Sequence, residues 1–215
     1  MPGLTIGDAI PNLEVESTYG KIKLLDYIGF SWAIVFSHPA DFLPVGEKMG
    51  FYTEELQKRQ VKLIGVSCDL ITSHLDWIKQ MEYQSPGFKV LFPVVFDDDR
   101  TVIRELNLVD PEEEHWSGSA TPSRSMHVVG PDGTIKITML YPASVQRDMD
   151  EVVRVVDSLQ KTAMFKVATP VNWRVGEPVV ISTSVSDKEA DKMFPQGYHI
   201  VDLPSKKHYL RFTKI

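Results

Sequence analysis

The one thiol of the chain is Cys68. A cysteine attacks as its thiolate, and it reacts at neutral pH only where positive charge or a helix N-terminus lowers its pKa. Cys68 follows the apolar run Val61–Val66 and precedes Asp69, whose charge acts the other way. A lone cysteine at the end of a strand is expected to be a small buried hydrophobe. It also excludes an intramolecular disulfide and a cysteine-based metal cage, and it points to a reducing compartment. The histidines other than His38 (His74, His115, His127, His199 and His208) show no metal-ligand spacing. His74 reads as an exposed helix residue and His127 as a strand residue.

The elements that must position these groups alternate in type over the first half of the chain. Ile22–Leu25 reads as a short edge strand, and Trp32–Phe36 is a continuous apolar run of the kind buried on both faces of a sheet. A helix follows with Met49, Tyr52 and Leu56 on one face, and Val61–Val66 is the next buried strand. Ser73 reads as the N-cap of another helix, with Asp76 three residues on. Pro93 demotes Val90–Phe96 to an edge or interrupted strand.

Asp99–Leu106 reads as a short helix. Ser125–Val129 and Thr134–Leu140 then form a hairpin across Gly130-Pro131-Asp132-Gly133. Asp148–Lys161 is an amphipathic helix with Met149, Val152, Val153, Val156 and Leu159 inward. This order predicts an α/β protein of thioredoxin-like layout, a mixed sheet flanked by helices, over residues 1–165.

Residues 166–215 form a small α+β arm. It holds an isolated strand at Pro178–Ile181, another at Tyr209–Phe212 and a capping box at Ser186–Glu189. It reads as too small for a core of its own, and so as packed on the main domain or on a second copy.

Composition narrows the class. The chain has 215 residues, 43% hydrophobic and 24% charged, which is ordinary for a globular protein and excludes a disordered or low-complexity chain. A net charge of −6 argues against nucleic acid or an anionic membrane as the main partner. The start carries no basic residue before Asp8 and does not read as a signal peptide. The longest apolar run is far short of the roughly 20 residues that span a bilayer. The expected compartment is the cytoplasm, with the nucleus as a second.

The segment Phe36-Ser37-His38-Pro39-Ala40-Asp41-Phe42-Leu43-Pro44-Val45 resembles the active-site loop of peroxiredoxins, in particular the one-cysteine, peroxiredoxin 6-type subfamily. The resemblance runs through Pro122-Ser123-Arg124, Leu140-Tyr141-Pro142-Ala143, Arg147–Glu151, Ala168–Trp173, Met193–Gly197 and Asp202–Lys207. It covers essentially the whole chain, and its wording is closest to the plant seed members.

The resemblance implies a thioredoxin-like peroxiredoxin domain at 1–165, a C-terminal dimerisation domain at 166–215, a homodimer and no cofactor. The implied activity is antioxidant: reduction of hydrogen peroxide and organic hydroperoxides by a thiolate, which an external thiol reductant then restores. In that pattern His38 lies beside the reactive cysteine and Arg124 pairs with its sulfur. Arg147 matches a second arginine near the pocket, and a salt bridge at the final helix is an equal reading of it.

The sequence departs from the pattern at its centre. Pro39 matches, but Leu43 stands where the family has threonine, and Pro44-Val45 lead to Gly46-Glu47-Lys48-Met49 rather than to a cysteine. About four residues, roughly one helical turn, are expected to be missing at the Val45–Gly46 junction together with the nucleophile. The expectation is therefore a homologue impaired as a peroxidase, with His38, Pro39, Leu43, Pro44, Val45, Gly46, Arg124 and Arg147 as a remnant pocket for peroxide or a small anion. The alternatives are activity through Cys68, a residual lipase-type site, or an aberrant product of an ordinary peroxidase gene. The positions matching the family's lipase-type site are Leu25, Ser31 and Asp132. Leucine replaces the histidine base, which leaves the serine nothing to take its proton.

Overall fold

The computed structural model describes residues 4–42, 49–205 and 207–215. The chain opens with β1 (Glu14–Ser17), β2 (Gly20–Lys23) and the short helix α1 (Leu24–Ile28). Then come β3 (Trp32–Ser37), α2 (Met49–Lys58), β4 (Val61–Ser67), α3 (Ile71–Gln84) and β5 (Val94–Phe96). Helices α4 (Thr101–Glu105) and α5 (Pro111–Ser117) lead to the hairpin β6 (Met126–Val129) and β7 (Ile135–Met139). After these lie α6 (Met149–Met164), β8 (Val167–Ala168), β9 (Val179–Ile181), α7 (Asp187–Met193), β10 (His199–Ile200) and β11 (Arg211–Thr213). The chain divides into two compact units, Met1–Asp148 and Met149–Ile215.

The first unit is built on a seven-stranded sheet in the order β2-β1-β5-β4-β3-β6-β7. The β3–β4 and β4–β5 pairs are parallel and the others antiparallel. This mixed sheet fits the thioredoxin-like expectation. The central strands are apolar because both faces are covered: Val35, Ile64, Val66 and Val94 are each 0% exposed. Burying each such side chain stabilises the fold by about 1.5–3 kcal/mol. Gly65 fits here for a steric reason, since a Cβ there would stand 3.3 Å from the Phe36 ring. Gly133 closes the β6–β7 hairpin at φ +74°, a conformation that side chains disfavour.

Several local expectations shift. The strand read at Ile22–Leu25 ends at Lys23, because Leu24 and Ile28 instead form the buried face of α1. Pro93 delays β5 until Val94, yet β5 is not an edge: it lies between β1 and β4. The proline sits just before the ladder, where its carbonyl accepts the Gly65 N–H at 3.0 Å. Ser73 does not cap α3, which starts at Ile71 behind Leu70 with no side-chain cap.

The second unit begins with α6, whereas the sequence reading draws its line after that helix, at 165. Within this unit α6 is tied to the segment that follows it, through Ser158 Oγ and Thr169 Oγ1 at 2.7 Å. Its four strands run β10-β11-β9-β8. The expectation that this region holds no core is corrected: Val167, Trp173, Val179, Ile181, Val185, Ala190 and Phe194 form a buried cluster. Two large aromatic rings supply the volume that short strands cannot. The capping box is present, with Ser186 and Glu189 bonding each other's backbone N–H. Among the described residues no helix is long and apolar enough to cross a membrane.

Candidate active site

Strands β3 and β4 run parallel and end side by side, and ligand sites in such sheets form beyond the carboxyl ends of the strands. His38 follows β3 directly and its N–H donates to the Val66 carbonyl at 3.1 Å. The imidazole turns inward, where His38 Nε2 lies 2.9 Å from Asp41 Oδ1. From α3, His74 Nδ1 lies 2.8 Å from Asp41 Oδ2, and the Ser73 hydroxyl donates to the same oxygen at 2.7 Å. Behind them, the Asp41 N–H donates to Asp69 Oδ2 at 2.8 Å, and so does the Ser67 hydroxyl at 2.6 Å. The next residue, Phe42, holds φ 59°, in the left-handed region that phenylalanine rarely enters.

This cluster is dry: His38 is 3% exposed, Asp41 6% and His74 0%. Burial alone would raise the Asp41 carboxyl, but bonds from His38, His74 and Ser73 outweigh it and hold the group below the usual carboxylate range. Burial pushes the His38 imidazole down, and the bond to Asp41 only partly offsets this. An ionised carboxylate between two imidazoles takes an N–H from each. His38 Nδ1 and His74 Nε2 are then left as bare lone pairs, and neither atom has a hydrogen-bond partner. The His38 ring lies on Trp77, with centroids 4.7 Å apart.

The arginines arrive just before β6 and beyond β7. Arg124 is 5% exposed and its Nε donates to the Ala143 carbonyl at 2.7 Å. The Arg147 guanidinium donates to the carbonyls of Ser37 and Ser125 and lies over the Phe36 ring at 5.7 Å. Ser37 in turn gives its hydroxyl to the Ser123 carbonyl at 2.8 Å, which joins the end of β3 to the segment carrying Arg124. Burial, followed by repulsion from Arg124, pushes Arg147 down to about 10. Burial also lowers Arg124. Two mutually repelling guanidiniums that bond to carbonyls, with no carboxylate against them among the described residues, favour an anion.

Cys68 is half-buried just past β4. Burial and then the Asp97 charge push its thiol up to about 12. The other charges acting most on it are Arg100, Asp69 and Asp99, so it sits in acidic surroundings rather than beside Arg124 and Arg147.

Of the residues expected in the pocket, His38, Pro39, Arg124 and Arg147 are described, while Leu43, Pro44, Val45 and Gly46 lie outside the described residues. The reading of His74 as an exposed helix residue is corrected, because the start of α3 turns it onto Asp41. Asp41, Ser73 and His74 are site residues that sequence reasoning missed. Only the His38–Asp41 spacing could have signalled one, since His74 comes from a separate helix. His127 is a strand residue as read, with its ring nitrogens on Thr138 Oγ1 and the Leu106 carbonyl. Asp132 is exposed and tied to Lys136 and Thr134, as a turn residue would be. Among the described residues, ligand atoms of His38, Asp41 and His74 lie within 4.8 Å of one another, close enough to share one cation.

Comparison with known proteins gives consistent results. The model described as "AhpC/TSA family" matches residues 6–138, and "C-terminal domain of 1-Cys peroxiredoxin" matches 158–197. The chain is 55% identical to the 1-Cys peroxiredoxin PER1 of Hordeum vulgare and to a 1-Cys peroxiredoxin of Medicago truncatula, each over the whole of both chains. Both alignments run over 219 residues where this chain has 215, so some positions of these relatives have no counterpart here. A cysteine-to-serine mutant of the peroxiredoxin 6 of Arenicola marina matches with a TM-score of 0.91 at 38% identity, covering 99% of this chain and 98% of that one. The yeast mitochondrial 1-Cys peroxiredoxin matches at 0.83 and 35% identity, covering 99% and 100%. With both of its units matched and relatives aligned end to end, the chain belongs to the one-cysteine peroxiredoxins of the AhpC/TSA family.

Proposed function

We propose that this chain keeps the peroxide pocket of its family without a working nucleophile, and that it is impaired as a peroxidase. Peroxide reduction needs a thiolate that attacks one peroxide oxygen. The S–O bond forms as the O–O bond breaks, the other oxygen leaves as water, and a thiol reductant later returns two electrons to the sulfenic acid. The observation that carries the proposal is the state of Cys68, the only thiol, whose pKa is pushed up to about 12 among acidic neighbours. At pH 7 such a group is thiolate in roughly one molecule in 10⁵. The junction Val45-Gly46, where the family pattern has cysteine, supports the same reading, as do alignments longer than this chain.

What persists is positive charge. Arg124 and Arg147, bonded to carbonyls, favour a peroxide anion or a small oxyanion, but they cannot accept an oxygen atom. The C-terminal unit, which matches the family's C-terminal domain, supports a homodimer, and the single half-buried thiol supports a reducing, cytoplasmic setting. The decisive experiment is stopped-flow consumption of hydrogen peroxide with a thiol reductant, using the full chain. No rate above the protein-free control is expected. A rate that disappears in Cys68→Ser would overturn the proposal in favour of catalysis by Cys68.

A further inference from the structure

The His38–Asp41–His74 cluster is more than the pocket needs. An active-site histidine can be oriented by one carboxylate, but here a second imidazole from α3 meets the same carboxylate, and a serine from that helix meets it too. Two imidazoles and one carboxylate within 4.8 Å are the donor set that first-row transition ions take up, and not the all-oxygen set of magnesium or calcium. We propose that His38 Nε2, His74 Nδ1 and the Asp41 carboxylate form a binding site for one divalent ion of the zinc type.

The geometry is close to what the ion requires. Zinc bonds to nitrogen and oxygen of about 2.0–2.2 Å in a tetrahedron separate neighbouring ligand atoms by about 3.3 Å. His38 Nε2 lies 2.9 Å from Asp41 Oδ1 and His74 Nδ1 lies 2.8 Å from Asp41 Oδ2. With the three ligand atoms within 4.8 Å of one another, side-chain adjustments of about an ångström bring them to one ion. The Ser73 hydroxyl, 2.7 Å from Asp41 Oδ2, or a water completes the fourth position.

The charge balance is also favourable. Asp41 is already ionised, and Asp69 stands directly behind it, one hydrogen bond away through the Asp41 N–H. Each imidazole stays neutral: its proton leaves the inner nitrogen facing Asp41 for the far one, and the ion takes the inner lone pair. No existing hydrogen bond has to break for that exchange, because His38 Nδ1 and His74 Nε2 have no partner, but the moved protons also find no acceptor there. The same fact limits affinity. Metal-bound histidines ordinarily donate the far N–H to an acceptor, and loss of that support costs about 10–100-fold in affinity. The site therefore binds weakly and exchanges its ion readily.

The test is a titration of the unfused full chain with Co²⁺, followed by absorption, and with Zn²⁺, followed by calorimetry. One equivalent is expected, with the ligand-field bands of a low-coordinate Co²⁺ site, and binding should weaken about tenfold or more in His74→Gln and in His38→Gln. Equal binding by the parent and both variants would place the ion on exposed histidines such as His199 and His208 and would overturn the proposal. So would the absence of stoichiometric binding. Should either variant fail to fold, ring ¹⁵N spectra of the unmodified chain decide. Zn²⁺ must shift the resonances of His38 and His74, and unchanged resonances would refute the site. None of these readouts depends on peroxide turnover, so the metal site and the peroxidase proposal stand or fall separately.

Discussion

Ser73 and Asp41, from separate segments beyond β4 and β3, meet at 2.7 Å through a hydroxyl donated to a carboxylate. The serine gives up the capping role its position suggests and fastens the first turn of α3 to the loop after β3 instead. Asp41 is thereby the centre of a buried arrangement with two imidazoles, one hydroxyl and the ring of Trp77 behind His38.

Replacing that carboxylate should be costly. Asp41→Asn keeps the shape, but the new amide N–H₂ faces an imidazole N–H or the Ser73 hydroxyl, and the charge that both rings donate to disappears. The expected loss is about 2–4 kcal/mol in a denaturant melt. A change under 1 kcal/mol would mean that water reaches the cluster.

The same groups set the response to acid. His38 and His127 are both lowered by burial, so the unfolded chain binds protons first and stability falls as the pH drops below about 6.5. Asp41 is also lowered. Its contribution is complete above the unfolded value near 4, and it is lost as the pH falls through the lower folded value. Denaturant midpoints taken from pH 7 to pH 3 should decline throughout, and Asp41→Asn should flatten the part below about pH 4.5. A parent stability that is level between pH 7 and pH 5 would contradict the assignment of buried neutral imidazoles.

The thiol should be sluggish. With Cys68 half-buried and its pKa pushed up to about 12, an aromatic disulfide reagent at pH 8 should label the native chain far more slowly than the chain in guanidinium. Equal rates would show an activated thiol.

Supplying the family's cysteine turn should confer the family's chemistry. Inserting Cys-Thr-Thr-Glu after Val45, together with Leu43→Thr, gives the family's motif to a chain that carries His38, Pro39, Arg124 and Arg147. Thiol-dependent peroxide consumption should rise by at least about 10² over the parent chain. A folded insertion variant without activity would show that the pocket itself has drifted.

Sequence reasoning read best where one segment decides its own fate. The run at Trp32–Phe36, the Gly130–Gly133 turn and the Ser186–Glu189 box each carry their signal within a few residues, and each forms as expected. It read poorly where distant residues decide. Pro93 suggested an edge or interrupted strand; β5 does begin only after it, yet it is interior because β1 pairs with the side that β4 leaves open. His74 looked like a surface residue because its partner is Asp41, far off in the sequence. The C-terminal core depends on Trp173 and Phe194, which lie far apart in the chain and meet only once the small sheet forms. The arginines were found only because the family pattern marks them; nothing in their local sequence tells Arg124 from a surface charge.

The position of β1 has a consequence in time. Its partners are β2, which follows it at once, and β5, which is made roughly eighty residues later. On the ribosome the amino-terminal hairpin therefore emerges with one side unpaired, and it stays so until Val95 and Phe96 have been synthesised to meet Ser17 and Glu16. A hairpin alone is marginal in water, so this end of the sheet is among the last parts to become permanent although it is the first to be made.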